Sequence, residues 1–471
     1  MNDITLAWRN LWRNKRRTLI TAASVFFAIF FALVMRSFQL GAYDRLFRNI
    51  IESYTGYLQI QQRDYFDEPV LDNGFVPDTG TLEKIKKDAN VSTVVPRLES
   101  FALAAVESRT QGVLVMGVDP EKEDQVSGIR NRMVKFRLDP AAIRNLKAEV
   151  IPERMKKLLD LFVNESYAST ARLMMDMNMR NADTASLLPL FRKHASFTNH
   201  FMDKADSTGV IIGDGLAGYL KVKTGDTLVL IGQGYHSSTA AGKFLIRGIL
   251  KLPAPDIDNR IVYMPIATAG ELFAAPGLIT SAVICLHQND DESLQETTDR
   301  LSHILPDPLV TRSWKEMNAL LINQIEADRR SGAIMIEILY LVIAFGIFGT
   351  VLMMLAERRR EFGMLISVGM QKRKLATIFS LEMLFTGFLG IVAGVVASLP
   401  VVFYGYFNPI RFRGQMGKMY EDYGFDPVMP TLLPDTYYIW QIVVVLIILA
   451  VTILYSVRKI YRLNPIQAMR A

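Results

Sequence analysis

The chain has 471 residues, half of them hydrophobic, with a formal net charge of +6 and a single cysteine. That share of apolar residues, with a positive mean hydropathy, excludes an ordinary soluble enzyme of this length and puts part of the chain in lipid. One cysteine excludes an internal disulfide, so an exported domain built from this chain must stand on its packed core.

In chain order, residues 1–17 are a basic segment, with Arg9, Arg13, Lys15, Arg16 and Arg17 against Asp3. An apolar run at 18–35 follows. Its basic start suits a secretory signal, but its core is long and Ala22, Ala23 and Ser24 precede the aromatic stretch, which predicts an uncleaved anchor. Further apolar runs occupy 332–356, 375–404 and 438–457. Each run reaches the roughly 18 residues that cross about 30 Å of hydrocarbon at about 1.5 Å per residue. The expected fold class is an α-helical membrane protein with four transmembrane helices and a large mixed α+β extracytoplasmic domain between the first and second helices.

Charge sets the orientation. The N-terminal segment, the 357–374 connection and the 458–471 tail each carry a net +4, which leaves −6 on everything else. Concentration of Lys and Arg on one side marks that side as cytoplasmic. Both termini then lie in the cytoplasm, with 36–331 and the 405–437 loop outside. The basic pI of about 9.1 thus describes a membrane topology and gives no reason to expect nucleic acid as a partner.

The 36–331 segment reads as α+β in two parts. "GYLQIQ", "STVVPR", "SFALAAV" and "QGVLVMGVD" are short strands, with a helix near "TLEKIKKDA". "GVIIGDGLAGYLKVKTGDTLVLI" is strand, helix and strand, turned at Gly225 and Asp226; "KFLIRGIL", "NRIVYMP" and "SAVICL" follow as strands, the last holding Cys285 in a structural setting. A helix over "DESLQETTDRLSHIL" starts with Asp291 as its expected N-cap. "SWKEMNALLINQIEADRRSG" reads as a helix running unbroken into the second membrane span, a route for motion between domain and bilayer.

Between the two parts lies a Met-rich helical insertion, about 139–208, with helical spacing at Met155, Leu158, Leu159 and Phe162. Met174, Met175, Met177 and Met179 are open to three uses: soft copper ligands, an adaptable apolar surface for a lipid or partner, or packing within the insertion. His194 and His200 match no metal spacing. No catalytic or cofactor-binding motif stands out: there is no phosphate loop, H-E-x-x-H, C-x-x-C or G-x-S-x-G. The chain is therefore expected to be a non-catalytic subunit with no metal site and no cofactor of its own.

The 357–374 connection, "ERRREFGMLISVGMQKRK", is basic at both ends and amphipathic between. Phe362, Met364, Leu365, Ile366, Val368 and Met370 are exposed unless a partner or the lipid interface covers them. A passive helix lying on anionic headgroups is equally open at this stage. Glu382, about two turns into the third span, either pairs with the connection or reaches the headgroups. Gly390 and Gly394 have GxxxG spacing and Gly387 precedes them, which permits close helix approach within one subunit or between two.

One helix, a large outer domain, three helices, the "ERRREFGMLISVGMQKRKL" connection and the ending "NPIQAMRA" resemble the FtsX/MacB-type permeases of ABC transporters. "VMGVDPEKE" and "GVIIGDGLAGYLKVKTGDTLVLI" resemble, within that group, the lipoprotein-releasing permeases LolC and LolE. The resemblance implies a bacterial inner-membrane protein with a periplasmic domain. Its partners would be a dimer of cytoplasmic ABC ATPases holding ATP and Mg, a second permease subunit, identical or related, membrane lipids and a periplasmic carrier. The substrate would be a lipoprotein or another amphipathic molecule. The coupling helix would use Glu357, Arg358, Arg359, Arg360, Glu361, Phe362, Gly363, Met364, Leu365 and Gly369. Phe26, Phe27, Phe30 and Phe31 are candidates for an acyl-chain cavity, with bulk lipid as the alternative. The implied function is mechanotransmission: ATP hydrolysis drives outer-domain motion that releases lipoproteins. Peptide, antibiotic or lipid efflux, envelope signalling, and an ATPase-independent receptor or scaffold are the alternatives. The insertion and the 405–437 loop are larger than the LolC/LolE pattern leads one to expect.

Overall fold

The computed structural model describes all residues except 1–2, 14, 180, 203–208, 413, 423–425, 466–467 and 469–471. Much of the "NPIQAMRA" ending, Arg470 included, and part of the insertion thus lie outside the described residues. The chain divides into two units, Met1–Arg45 with Leu321–Arg411 and Val428–Ala471, and Leu46–Leu320 with Phe412–Pro427.

In the first unit, four helices among the described residues are long and apolar enough to cross a membrane. They are Lys15–Ile50, Ala319–Glu357, Lys372–Phe407 and Thr436–Tyr461. The first does not stop at Met35 but stays helical to Ile50, through Gly41, with no proline between the two to end it. Val25, Ile29 and Leu33 of the first helix, Val351 of the second, Met383 of the third and Leu449 of the fourth share one core. Small residues let the backbones approach. A Cβ on Gly387 would sit 2.3 Å from Leu449 Cδ2, one on Gly390 2.7 Å from the Ala22 carbonyl, and one on Gly394 2.9 Å from the Phe26 carbonyl. The GxxxG pair therefore seats the first helix of the same chain, and Gly387 the fourth.

The strands, in chain order, are β1 Leu58–Gln62, β2 Val91–Val106, β3 Arg109–Val118, β4 Phe136–Arg137, β5 Ser166–Tyr167, β6 Gly209–Gly213, β7 Thr227–Gln233, β8 Thr239–Leu250, β9 Ile261–Pro265, β10 Ser281–Leu286, β11 Leu309–Ser313, β12 Ile410–Arg411 and β13 Val428–Met429. Nine of them make one sheet in the second unit, ordered β11-β1-β10-β2-β3-β9-β6-β8-β7, and β7 returns to pair with β2. That extra pairing closes β2, β3, β9, β6, β8 and β7 into a ring. The long β2 serves both halves: Val91 to Arg97 pair with β10, and Ala102 to Ala105 with β7. It is a single strand where the sequence reads as two, because Pro96 falls opposite Ala282 within the ladder without ending it. Inside the ring pack Leu98, Val115, Leu228, Leu230, Ile246 and Ile249; the open half is covered by helices Thr79–Lys86 and Asp291–Ile304 over Ile60, Val94 and Ile284.

The helix Asp291–Ile304 is capped by Asp290, whose carboxylate accepts from Ser293 N at 3.1 Å, so Asp291 is the first helical residue and not the cap. Helix Trp314–Met317 ends at Asn318 (φ −111°, ψ 30°), and the next helix starts at Ala319. The expected unbroken helix is thus interrupted; the Asn318 side chain donates to Trp314 O (2.8 Å) and competes with the helical ladder there.

The insertion has its own core of Leu138, Leu146, Met155, Leu159, Leu173 and Phe191 with Met177. The four methionines do not act together: Met177 is fully buried, Met175 is exposed, and Met174 and Met179 are half-buried. Packing explains Met177, and no shared ligand face emerges for the copper reading. Cys285 is half-buried in β10, and burial pushes its thiol up to about 11, the behaviour of an inert thiol.

Candidate coupling site

The second and third long helices are joined by helix Arg359–Ser367, nine residues long. It starts at a kink, Arg358 (φ −90°, ψ 2°), and ends in a Schellman arrangement. Met370 N donates to Leu365 O (2.9 Å) and Gly369 N to Ile366 O (3.1 Å). Gly369 has φ +107°, where a side chain would be strained. Lys372 Nζ then donates to Tyr461 O (3.0 Å) and Leu463 O (2.8 Å), satisfying the carbonyl end of the fourth long helix with a cation.

The inward face is locked. Arg358 Nη1 donates to Glu382 Oε2 at 2.6 Å, and both side chains are buried. Arg358 Nε reaches Glu361 Oε2 at 3.3 Å, and its guanidinium lies 5.3 Å from the Phe362 ring centre. Phe362 is 1% exposed and meets the edge of Phe379 at 6.0 Å. The expectation that Phe362 is exposed is therefore wrong. A period of about 3.6 places it one turn from Arg358 and Ile366, on the side facing the third helix. Gly363 is buried, and Ile366 and Met370 are half-buried. Glu382 is paired with the connection and does not run to the boundary.

The outward face carries Met364, Leu365 and Val368, 50%, 40% and 89% exposed, with Glu357, Arg359 and Arg360 also exposed. An apolar stripe beside free guanidinium groups suits docking onto an acidic, partly apolar groove.

Sequence reading missed one neighbour. Residues read as a basic tail form an amphipathic helix, Asp3–Arg13, that buries Ala7 and Leu11 and sets Trp8 edge-on against Phe385 of the third helix at 5.8 Å. The spacing of Ala7 and Leu11, one turn apart, was the available signal. A cleft of about 190 Å³ lies between this helix and helix Arg359–Ser367, lined by Leu6, Asn10, Glu361, Leu365 and Glu382 among others. Arg13 closes it with a 3.8 Å contact to Glu361.

The phenylalanines belong elsewhere. Phe26 stacks on Phe30 (5.8 Å) and Phe27 on Phe31 (5.9 Å). Phe27 and Phe31 are half exposed on the outward side of the first helix. Phe26 lies beside Gly394, about 18 Å along the third helix from Glu382.

Residues 333–465 match the family described as FtsX-like permease C-terminal. This part of the chain is an FtsX-like permease domain. Helix Arg359–Ser367, Glu382 and the three glycines all fall inside the matched residues. The lipoprotein-releasing system transmembrane protein LolC of Neisseria meningitidis serogroup B is 25% identical over 197 residues, 40% of this chain and 47% of LolC. The match thus spans about half of that relative. Two solved structures are similar at low score: the periplasmic region of MacB from Actinobacillus actinomycetemcomitans (11% identity, TM-score 0.32, 59% of this chain and 98% of that one) and the extracellular domain of the noncanonic ABC-type transporter YknZ from Gram-positive bacteria (10% identity, TM-score 0.29, 55% and 100%).

Proposed function

We propose that the chain is the permease subunit of an ABC transporter, in which separate cytoplasmic ATPases, binding ATP and Mg, drive motion of the outer domain. What carries this reading is the two-sided coupling helix. One side is fixed to the third long helix through Arg358–Glu382 and Phe362–Phe379. The other presents Met364, Leu365 and Val368 with Arg359 and Arg360 for docking. A push on such an elbow is transmitted as a rigid displacement of the helices it joins, since a packed, paired junction does not absorb it by local rearrangement. The protein sits in the inner membrane with both termini cytoplasmic and the large unit periplasmic, on the charge bias already given. A second permease subunit covers the second long helix, whose apolar window is only 22% buried. Ile334, Ile338, Val342 and Phe345 stand exposed along it.

The work done is release of lipoproteins from the membrane to a carrier, supported by the sequence match to LolC. Phe27 and Phe31 are then offered to acyl chains. Efflux of a peptide, antibiotic or lipid by the same architecture is the second reading, favoured by the separate core of the insertion. Affinity purification of the intact chain in mild detergent, with mass spectrometry of what stays bound, tests both. An ATPase with acylated lipoproteins is the expected result. An ATPase without them moves the reading to efflux, and no ATPase at all removes the transporter reading.

A further inference from the structure

In the first unit, helix Asp3–Arg13 has more apolar surface than its own chain covers. It packs on the third long helix and buries Ala7 and Leu11. Roughly 80° further around, at about 3.6 residues per turn, runs a second row. Ile4, Trp8 and Trp12, each about one turn from the next, are 59%, 44% and 56% exposed. Trp8 meets Trp12 edge-on at 6.2 Å and Phe385 at 5.8 Å. Together the two rows make an apolar face wider than one neighbouring helix buries.

The exposed row is continuous with surface that lies in lipid. Phe385 belongs to the third long helix, where its neighbours Leu384 and Phe388 are exposed. The first long helix begins two residues after Arg13, at Lys15, and exposes Leu19 and Ile20. Both long helices are apolar enough to cross a membrane, so a row that joins their exposed positions lies where a span meets the headgroups.

The flank of this row is basic. Arg9, Lys15 and Arg16 are exposed, and Asp3 is the one acidic residue before Thr18 in the sequence. Arg13 contacts Glu361 at 3.8 Å, but the two side chains are 63% and 43% exposed. Water screens a pair of that kind, and a guanidinium carries five N–H donors, so Arg13 retains donors for a second acceptor.

These features converge on one partner. Indole rings settle at the boundary between headgroups and acyl chains, the ring in the apolar layer and the N–H toward water. Guanidinium groups bind phosphate oxygens in a bidentate fork. A soluble acidic protein matches the cations but not an apolar row that runs onto the lipid-facing side of two spans. A zwitterionic headgroup brings a compensating ammonium, whereas an anionic headgroup meets the cations with uncompensated charge. We propose that helix Asp3–Arg13 is a binding surface for anionic phospholipid headgroups, with Ile4, Trp8 and Trp12 at the boundary and Arg9, Arg13 and Arg16 on phosphate. Because Arg13 also contacts Glu361, the lipid surface and the elbow meet at one side chain.

The test uses the full-length chain in bilayers of phosphatidylcholine and phosphatidylglycerol, with one or the other brominated on its acyl chains, and reads tryptophan fluorescence. The chain has four tryptophans. The signal of Trp8 and Trp12 is therefore taken as the difference between the unaltered chain and a Trp8→Phe, Trp12→Phe variant. Both lipids are expected to quench it, with phosphatidylglycerol bound about fivefold or more tightly than phosphatidylcholine at low salt, the preference that one cation supplies near an anionic surface. Salt of about 0.5 M should remove most of that preference. Arg9→Gln, Arg13→Gln and Arg16→Gln together are expected to lower it by about threefold or more, and Lys at the same three positions to restore it, which separates a loss of charge from a loss of structure. Equal binding of the two lipids, a preference that neither salt nor the Gln variant lowers, or no quenching by either lipid overturns the proposal; the last of these leaves the row to a protein partner.

Discussion

Two buried arginine–glutamate pairs have different surroundings in the two units. Arg97–Glu123, where β2 passes from the open half of the sheet to the ring, is fully enclosed and double-bonded, and Arg97 spends a further donor on a backbone carbonyl. Arg358–Glu382, at the elbow of the FtsX-like domain, is held by one 2.6 Å bond, shares Arg358 with a half-exposed Glu361, and lines a cleft. The first is closed to solvent and to partners, as a structural pin should be. The second is buried but lines a surface cleft. Burial alone does not distinguish the two pairs; what each borders does.

The largest effect that tests this comparison is loss of one partner. Glu123→Ala strands Arg97 in the interior and is expected to destabilise the second unit by about 3–5 kcal/mol, read as a loss of hydrogen-exchange protection in β2 and β10. Glu382→Ala is expected to have an effect of similar size on the elbow. The pair of substitutions Arg358→Met and Glu382→Met together restores packing without charge, so it should recover stability. Recovered stability with lost substrate-linked ATPase activity marks the pair as a transmission element; recovered activity as well reduces it to a second pin.

A pH dependence comes next in size. Burial first, and the neighbouring Asp214 carboxylate second, push the Asp258 carboxyl up to about 7, although it accepts from Leu252 N and Gly215 N (both 2.8 Å). Its folded value lies above the unfolded one, so folding favours the protonated form. The associated stability is fully present below pH about 4, falls as pH rises toward 7, and is constant above. A rise from the ordinary carboxylate value to about 7 corresponds to roughly 4 kcal/mol at most. The Asp258→Asn variant should flatten the stability curve of the second unit between pH 4 and 7. An unaltered slope would place the dependence elsewhere in the cluster, at Lys251, Glu165 and Asp214.

The smallest effect on stability should carry the largest effect on assembly. Met364→Asp and Val368→Asp alter exposed positions and are expected to change stability little, within about 0.5 kcal/mol, while abolishing copurification of an ATPase. Phe362→Asp, by contrast, puts a charge into the core and tests folding. Retained copurification in both exposed variants would remove the docking face and leave the elbow as packing.

Much of the layout was legible in the sequence. Four apolar runs, a domain-length segment between the first two and a basic connection follow from composition along the chain, because crossing lipid imposes a length and a hydropathy that no neighbour can supply. The candidate residues from Glu357 to Gly369 and Glu382 were found the same way. Their sides were not. Whether Phe362 or Val368 meets the partner depends on the phase of a nine-residue helix, which the kink at Arg358 sets. Whether Gly390 and Gly394 pack within the chain depended on the first helix lying against them. The closure of the sheet by β7 on β2, the merging of two expected strands into one, and the seating of Trp8 against Phe385 join residues up to 377 positions apart. Local pattern fixes what a segment can be, since periodicity and charge act over a few residues. Tertiary structure alone decides which of its faces is covered, since that depends on partners distant in the chain.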